Sequence, residues 1–370
     1  MSVGTKQKKT EKQSMKHISE SMKNILAHAE KFGKICGLIC FFLFYFLYVL
    51  WCLGAFCYTP GSSVFLRFLN AILFLALVLI ALFFKPRRYF LAGAVILMVT
   101  ISLLWMTITP THNADWAPEY ARLPRIQWQT DQDTFTIRDL RDFHFRTTSD
   151  FDIRYTNEEF RISKLKAIDF LAVYWPQPGE EAIAHIMLRF RFDDGKHFLV
   201  SSETRRPKGS KYGAINNLYK QSCKIYMLAT EPDILSLRTN IREPQERVYI
   251  YEMALTAEQR ETILRDLIAE INDLHPHPQF YNTLTNNCFT ELIPSLKAGI
   301  DDMPFFHHVY LISGWAPEYF FNAGWLKKKE GETFEELKKR SFLNPATQGW
   351  DHQPETYSQL IRKWEMENDK

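Results

Sequence analysis

Three residues of this sequence have the types that thiol-dependent catalysis needs: Cys288, His185 and Glu203. The residues around Cys288 predict the start of a helix, and the positive end of a helix dipole favours the thiolate, which is the nucleophilic form of cysteine. Backbone N–H groups at such an end could also stabilise an oxyanion. A histidine that faces a carboxylate supplies a base whose tautomer is fixed. The residue types therefore suggest Cys288 as nucleophile, His185 as base and Glu203 as the group that orients the base.

A β-hairpin would bring the histidine and the carboxylate together. Apolar and polar residues alternate along Ala184–Phe192, and Lys196–Ser202 predicts a return strand. A three-residue loop with Gly195 in the left-handed conformation pairs Phe190 with Phe198, which keeps one face of the hairpin apolar. The same register places the carboxylate directly across from the histidine.

A strand and a helix are predicted between this hairpin and the cysteine, and a second helix is predicted to carry the cysteine itself. Arg247–Met253 predicts the strand, and Thr256 and Gln259 have the spacing of a capping box before an amphipathic helix. The second helix is expected to begin at Asn287, which is a good N-cap residue. Pro294 removes one backbone donor from that helix and should kink or shorten it.

Other interpretations of the same residues remain open. Cys288 could pack as a small apolar residue or form a disulfide with Cys223, since both lie outside the apolar N-terminal runs. Glu203 and Arg205 could form an ordinary ion pair at the end of a strand. His307 follows the cysteine in the chain and is a reserve candidate for the base.

The remaining histidine clusters do not have the spacing of a metal site. His275 and His277, like His307 and His308, have no companion cysteine or carboxylate at ligand spacing. We therefore expect no metal and no cofactor.

The N-terminal third of the chain has the composition of a membrane anchor. Residues 1–110 carry 12 Lys or Arg and 3 Asp or Glu, whereas the rest of the chain carries 33 and 39. No acidic residue occurs between 35 and 110. Three apolar runs, each long enough to cross a bilayer, lie in this range: Ile35–Tyr58, Val64–Phe84 and Tyr89–Ile108. We expect three membrane spans.

Positive charges near the span ends predict the orientation. The basic tail 1–34 and the turn 85–88 should both lie in the cytoplasm. An odd number of spans then places residues 111–370 on the other side of the membrane. Those residues lack the basic stripes with interleaved aromatic residues that nucleic-acid binding requires, so we expect no nucleic-acid partner.

Several segments of the exported part resemble a known family. They are Ala184-His185, 202–206, 233–240 and, most specifically, the Phe280–Cys288 run with Tyr-Asn-Thr and Asn-Asn-Cys. These segments resemble the periplasmic domain family named after Lnb, a bacterial lipoprotein intramolecular transacylase, over roughly residues 113–300. The order of His185 before Cys288 is similar to that of circularly permuted NlpC-type papain-like enzymes and of the lecithin:retinol acyltransferase group.

The resemblance implies that the three predicted N-terminal transmembrane helices are followed by an α+β domain of permuted papain-like (NlpC-type) fold. Together with the charge-based orientation, it implies a multi-pass protein of the bacterial inner membrane, with its N-terminus in the cytoplasm and its C-terminal domain in the periplasm. The expected parts are a basic cytoplasmic tail (1–34), a three-helix transmembrane anchor (35–110), a β-rich segment leading from the membrane (111–175), a papain-like catalytic core (176–310) and a C-terminal extension (311–370).

The implied activity is cysteine acyl transfer at the membrane. The thiol would attack an ester of a phospholipid or a diacylglyceryl lipoprotein, and the acyl group would pass to an amine to give a lyso-form lipoprotein. Arg205 and Arg238 would position a headgroup or stabilise the loop, Asn287 would cap the catalytic helix or help form the oxyanion site, and Tyr281 would support the site. The alternatives are a cysteine amidase or peptidase of the cell wall and a non-catalytic, membrane-tethered binding module in which Cys288 is structural.

Overall fold

The computed structural model of the chain describes residues 3–59, 63–83, 87–176 and 181–368. It divides into two compact units, Met1–Ile108 and Thr109–Lys370. This division lies two residues from the predicted end of the membrane anchor at residue 110.

The first unit is helical. Its helices are α1 (Val3–Cys57), α2 (Val64–Phe83) and α3 (Arg87–Met106). Two segments are long and apolar enough to cross a membrane, His28–Cys57 and Val64–Ala81, and most of their side chains are exposed, unlike those of a core helix in a soluble protein. The apolar part of α3, Leu91–Met106, is shorter and covers about 24 Å at 1.5 Å per residue, against a hydrocarbon layer of about 30 Å. Two of the three expected spans are therefore supported by length and composition.

Aromatic and hydroxyl side chains connect α1 to α3. Tyr48 hydrogen-bonds to Ser102, and the rings of Trp51 and Trp105 lie 6.0 Å apart. Helix α1 runs without a break through the predicted basic tail, so no change of secondary structure marks residue 34. Residues 84–86, which include part of the predicted basic turn, lie outside the described residues.

The second unit is built on a mixed β-sheet. Its strands within the described ranges are β1 (Arg125–Trp128), β2 (Thr134–Arg141), β3 (His144–Phe145), β4 (Phe151–Asp152), β5 (Tyr155–Arg161), β6 (Leu165–Tyr174), β7 (His185–Phe192), β8 (His197–Arg205), β9 (Cys223–Ala229) and β10 (Arg247–Glu252). Eight of them form one sheet in the order β1-β2-β9-β8-β7-β6-β10, with β5 beside β2, and β3 pairs with β4 separately. Strands from the segments 111–175 and 176–310 lie in the same sheet, so no structural division occurs at the predicted boundary between them.

Helices cover both faces of this sheet. The helices of the unit are α4 (Ala214–Asn217), α5 (Glu231–Ile234), α6 (Ala257–Asp273), α7 (Ile293–Gly299), α8 (Ala316–Asn322), α9 (Phe334–Arg340) and α10 (Pro354–Asn368). Helices α6, α7 and α8 contribute to one apolar core, and α5 and α10 contribute to a second. The capping box of Thr256 and Gln259 at the start of α6 is present as predicted. The unit is an α+β domain, as expected.

The second core was not anticipated from the sequence. Met187 and Leu199, which alternate with the main core residues along β7 and β8, pack there with Tyr357 and Ile361 of α10. The same face holds Arg189, which is almost fully buried and pairs with Asp169, Glu231 and Glu365. The C-terminal helix is thus part of the domain's packing.

Candidate active site

The hairpin of β7 and β8 positions the histidine and the carboxylate. Phe190 pairs with Phe198 and Leu188 pairs with Val200, and Gly195 in the connecting turn has φ of +82°. This register confirms the predicted three-residue loop. A left-handed residue is needed in such a turn, and glycine adopts that conformation without a Cβ penalty.

His185 and Glu203 form an ion pair with a serine beside them. The Nε2 atom of His185 lies 3.1 Å from Oε1 of Glu203 and 2.7 Å from the hydroxyl of Ser201. That hydroxyl donates to the same carboxylate oxygen at 2.8 Å, so it accepts from Nε2–H. Both acceptors hold a proton on Nε2, so Nδ1 is the ring nitrogen that neither Ser201 nor Glu203 contacts. Ser201 was not predicted, although it lies on the same strand face as Glu203, two residues earlier.

Charge determines the protonation of this pair. Burial lowers the pKa of His185, but the negative charge of Glu203 and the neighbouring Cys288 outweigh it and raise the pKa to about 10. Burial raises the pKa of Glu203, but the charge and hydrogen bond of His185 and the charge of Arg238 hold it well below its usual value. His185 is therefore an imidazolium and Glu203 a carboxylate near neutral pH.

Cys288 lies in a turn rather than in the first turn of a regular helix. The predicted helix start at Asn287 is wrong, because α7 begins at Ile293. Pro294 occupies one of the first positions of α7, where its missing N–H costs nothing, whereas it would have broken a longer helix. The turn is held by Asn287, whose side-chain oxygen accepts from the backbone N–H groups of residues 289 and 290 at 2.9 and 3.0 Å. The capping role of Asn287 is present, but it caps this turn and not a long helix.

A tyrosine and the histidine contact Cys288. The backbone N–H of Cys288 donates to the hydroxyl of Tyr281 at 3.2 Å, and Cys288 is close enough to His185 to contribute to its raised pKa. Nε2 of His185 is occupied by Ser201 and Glu203, which leaves Nδ1 as the ring nitrogen available to the thiol. Cys288 is 9% exposed and lines the cavity beside it.

The cavity beside the thiol has a volume of about 450 Å³. Six of the seven predicted site residues line it: Cys288, His185, Glu203, Asn287, Tyr281 and Arg238. They come from three separate parts of the chain: the β7–β8 hairpin, a π-helical turn at Leu237–Ile241 and the 281–288 loop. Short π-helical segments often occur at functional sites.

This segment of the chain matches a known family. Residues 152–309 match the Lnb N-terminal periplasmic domain. The match confirms the predicted resemblance and includes His185, Glu203 and Cys288. No curated protein and no solved structure matches the chain.

The Lnb match and the two apolar helices together indicate a membrane-anchored protein with a periplasmic domain. The matched segment begins at the end of β4 and ends within the turn at His308–Tyr310. It therefore covers most of the sheet but not α8, α9 and α10.

Arg238 contributes to the site, whereas Arg205 does not. Arg238 lies 3.4 Å from Glu203 and 3.5 Å from Glu246, and so connects the Glu203 carboxylate to the π-helical turn. Arg205 points elsewhere: it donates to the backbone oxygens of Tyr120 and Ala121 at 3.0 and 2.9 Å. It does not line the cavity or pair with Glu203, so the expected headgroup role is not supported for this arginine. Its contacts instead hold the 112–121 segment against β8.

Residues beyond the Lnb match fix the start of β7, the strand that carries His185. The hydroxyl of Ser313 donates to the carbonyl of Ala184 at 2.6 Å and accepts from its N–H at 3.0 Å. Gly314 lies so close to Glu181 that an added Cβ would fall 1.8 Å from its carbonyl oxygen. Leu311 and Ser313 also line the cavity. No pattern in residues 311–370 indicated this role of the expected C-terminal extension.

The other cysteine and histidine candidates lie away from the thiol. Cys223 and Cys288 are both free, and Cys223 donates to the backbone oxygen of Thr111 at 3.4 Å. His307 stacks on Tyr319 with ring centres 4.1 Å apart and does not line the cavity. Among the described residues, no group of three or more His, Cys, Asp or Glu could hold a metal ion.

Proposed function

We propose that the chain is a membrane-anchored cysteine acyltransferase in which Cys288 is the nucleophile, His185 the acid and base, and Glu203 the orienting carboxylate. The observation that carries this proposal is the convergence of a thiol, an imidazole and a buried carboxylate from separate segments on one cavity. A nucleophile, a base and an orienting group within hydrogen-bond reach are the general signature of covalent catalysis.

The first half-reaction forms a thioester. The thiolate of Cys288 attacks the carbonyl carbon of a lipid ester, and the resulting tetrahedral intermediate collapses with cleavage of the bond between that carbon and the alkoxy oxygen. The leaving alkoxide takes the proton of the His185 imidazolium and departs as an alcohol. Glu203 and Ser201 keep the ring oriented through Nε2 while Nδ1 exchanges the proton.

The second half-reaction transfers the acyl group to an amine. The amine attacks the thioester, His185 accepts a proton from it, and the Cys288 thiolate leaves. This step regenerates Cys288 and leaves His185 protonated for the next cycle. No oxidant, reductant or metal enters either step.

Tyr281 is the best-placed side-chain donor for the developing oxyanion. Its hydroxyl accepts the Cys288 N–H, so its own proton remains available next to the thiol. Asn287 is less suited to that role, because its side-chain NH₂ donates to the carbonyl of Thr283 at 3.1 Å and its oxygen accepts from two backbone N–H groups. We assign Asn287 to shaping the turn.

The anchor supports a lipid substrate. We propose that α3 completes a third span, that the N-terminus lies in the cytoplasm and that the domain lies in the periplasm, in the arrangement of a permuted papain-like enzyme. A domain tethered in this way could act on esters that do not leave the bilayer, in a phospholipid or in a diacylglyceryl lipoprotein. A lipoprotein substrate would be left in its lyso-form.

Two cysteine variants test the proposal. The full chain, purified in detergent, is incubated with a thiol-reactive lipid-ester probe, and labelled peptides are identified by mass spectrometry. We expect labelling of Cys288 that is lost in Cys288→Ala, retained in Cys223→Ala and strongly reduced in His185→Ala.

Cells that express each variant provide the biological arm. Cys288→Ala should abolish the change in lipoprotein acylation that the wild-type chain produces, as measured by mass spectrometry of N-terminal lipopeptides. Labelling at Cys223 alone, or an unchanged acylation state with the active chain present, would refute the transferase. Cleavage of purified cell-wall peptides without any lipid activity would instead support the amidase alternative.

A further inference from the structure

One arginine of the cavity has no carboxylate partner among the described residues. The other three cavity arginines are paired: Arg141 with Asp233, Arg238 with Glu203 and Glu246, and Arg242 with Glu246. Arg206 lines the same cavity, but no acidic side chain of the described chain lies within ion-pair distance of it. Glu119 and Glu203 act on Arg206 only from beyond that distance. A guanidinium without a direct ion pair, in the same cavity as Cys288, is suited to bind an anion from the substrate.

Arg206 is held in place by Tyr120 rather than by a charge. Its Nη2 donates to the Tyr120 hydroxyl at 2.8 Å, and its guanidinium carbon lies 5.2 Å from the centre of the Tyr120 ring. The Nε atom is buried and has no hydrogen-bond partner. The planar fork of donors is thus oriented but not satisfied, which is the arrangement that phosphate and carboxylate groups recognise.

The mouth of the cavity is apolar as well as charged. Ile183, Tyr212 and Leu311 line it and are 54%, 55% and 39% exposed. Isolated exposed apolar residues are common, but here three from different loops surround one opening. A ligand that satisfies both features has an acyl chain and an anionic group.

We propose that Arg206 binds the phosphate of a phospholipid whose ester carbonyl is attacked by Cys288, with the acyl chain along Ile183 and Leu311. This inference rests on the proposed function and specifies its acyl donor. The thioester forms on Cys288, and the lysophospholipid leaves as an alcohol with the proton of His185. The phosphate itself does not react.

Donor preference is the first test. The full chain in dodecyl maltoside micelles is given dioleoylphosphatidylglycerol or dioleoylglycerol, which carry the same oleoyl esters but differ in the phosphate. Acylation of Cys288 is followed by intact mass spectrometry. We expect the wild-type chain to react at least tenfold faster with the phospholipid.

Variants assign that preference to one side chain. Arg206→Gln should remove the preference, and Arg206→Lys should retain part of it because the charge is kept without the fork. Lys211→Gln removes a positive charge from the same loop, outside the cavity, and should keep the full preference. Equal rates with both donors in the wild-type chain, or an undiminished preference in both Arg206 variants, would overturn the assignment while leaving the acyltransferase intact.

A binding measurement separates this inference from the chemistry. Calorimetry on the full-length Cys288→Ala chain compares dihexanoylphosphatidylglycerol with sn-glycerol 3-phosphate, with and without Arg206→Gln. Tighter binding of the lipid that depends on Arg206 supports the inference, even if Cys288 proves unreactive and the proposed function fails. Equal binding of glycerol 3-phosphate would show that a free phosphoester, not a lipid, occupies the site and would overturn the lipid assignment.

Discussion

Glu203→Gln tests whether the carboxylate keeps His185 protonated. With Glu203 present, the pKa of His185 is about 10, so the imidazolium persists at pH 8. Glutamine keeps the shape of the side chain but removes its negative charge. Burial, which lowers the pKa of His185, is then no longer offset by that charge. If the pKa falls only to the ordinary 6.5, roughly 3% of the histidine is protonated at pH 8. A reaction that needs the thiolate–imidazolium pair should slow by about 30-fold or more at that pH.

The pH profile is the decisive measurement. The rate of Cys288 modification by the lipid-ester probe is recorded between pH 5.5 and 10 on the full chain. The wild-type rate should fall at high pH, with a midpoint near pH 10 where His185 loses its proton. In Glu203→Gln this midpoint should lie several pH units lower, so the variant's rate falls furthest below that of the wild type at high pH. Glu119→Gln, which changes a carboxylate of the same cavity that does not touch His185, should leave the limb in place. Identical profiles for wild type and Glu203→Gln would refute the role assigned to this carboxylate.

Two further substitutions test the supports of the site. Gly314→Ala places a Cβ against the carbonyl of Glu181, and such overpacking should cost about 1–3 kcal/mol. The thermal midpoint should fall by several degrees and labelling of Cys288 should decrease. An unchanged midpoint would show that the loop adapts freely. Asp233→Asn removes the charge that pairs bidentately with buried Arg141 and should lower the free energy of unfolding in urea by about 3–5 kcal/mol. Asp150→Asn, in an exposed and solvent-screened pair, should lower it far less. Equal losses of unfolding free energy in Asp233→Asn and Asp150→Asn would contradict the stabilising role assigned to the buried pair.

Local patterns in the sequence were sufficient for the elements that carry two of the three catalytic candidates. The alternation along β7 and β8 and the glycine of their turn fixed the register, because a shift by one residue would turn every apolar side chain away from the core. The same reasoning placed Glu203 beside His185. The capping box before α6 was predictable for a similar reason, since both of its hydrogen bonds lie within four residues.

Long-range contacts account for what the sequence did not reveal. Asn287 is a residue type that commonly caps helix N-termini. The regular helix nevertheless begins only at Ile293, next to Pro294, and Cys288 lies in the preceding turn. Arg205 and Arg206 are adjacent in sequence, and nothing local distinguishes the one that binds backbone carbonyls from the one that faces the cavity. Their roles depend on Tyr120, which lies about eighty residues earlier in the chain.

The strand that carries His185 is fixed by residues that lie outside the matched family segment. At its start, Ser313 hydrogen-bonds to both backbone groups of Ala184. Further along, Glu365 of α10 pairs with Arg189. Catalytic groups must be held within a fraction of an ångström, and this requires that their supporting shell be rigid. A chain ending at residue 309 would retain Cys288, His185 and Glu203 but lose the contacts of Ser313 and Glu365 with this strand. We therefore predict that the proposed activity requires the C-terminal extension.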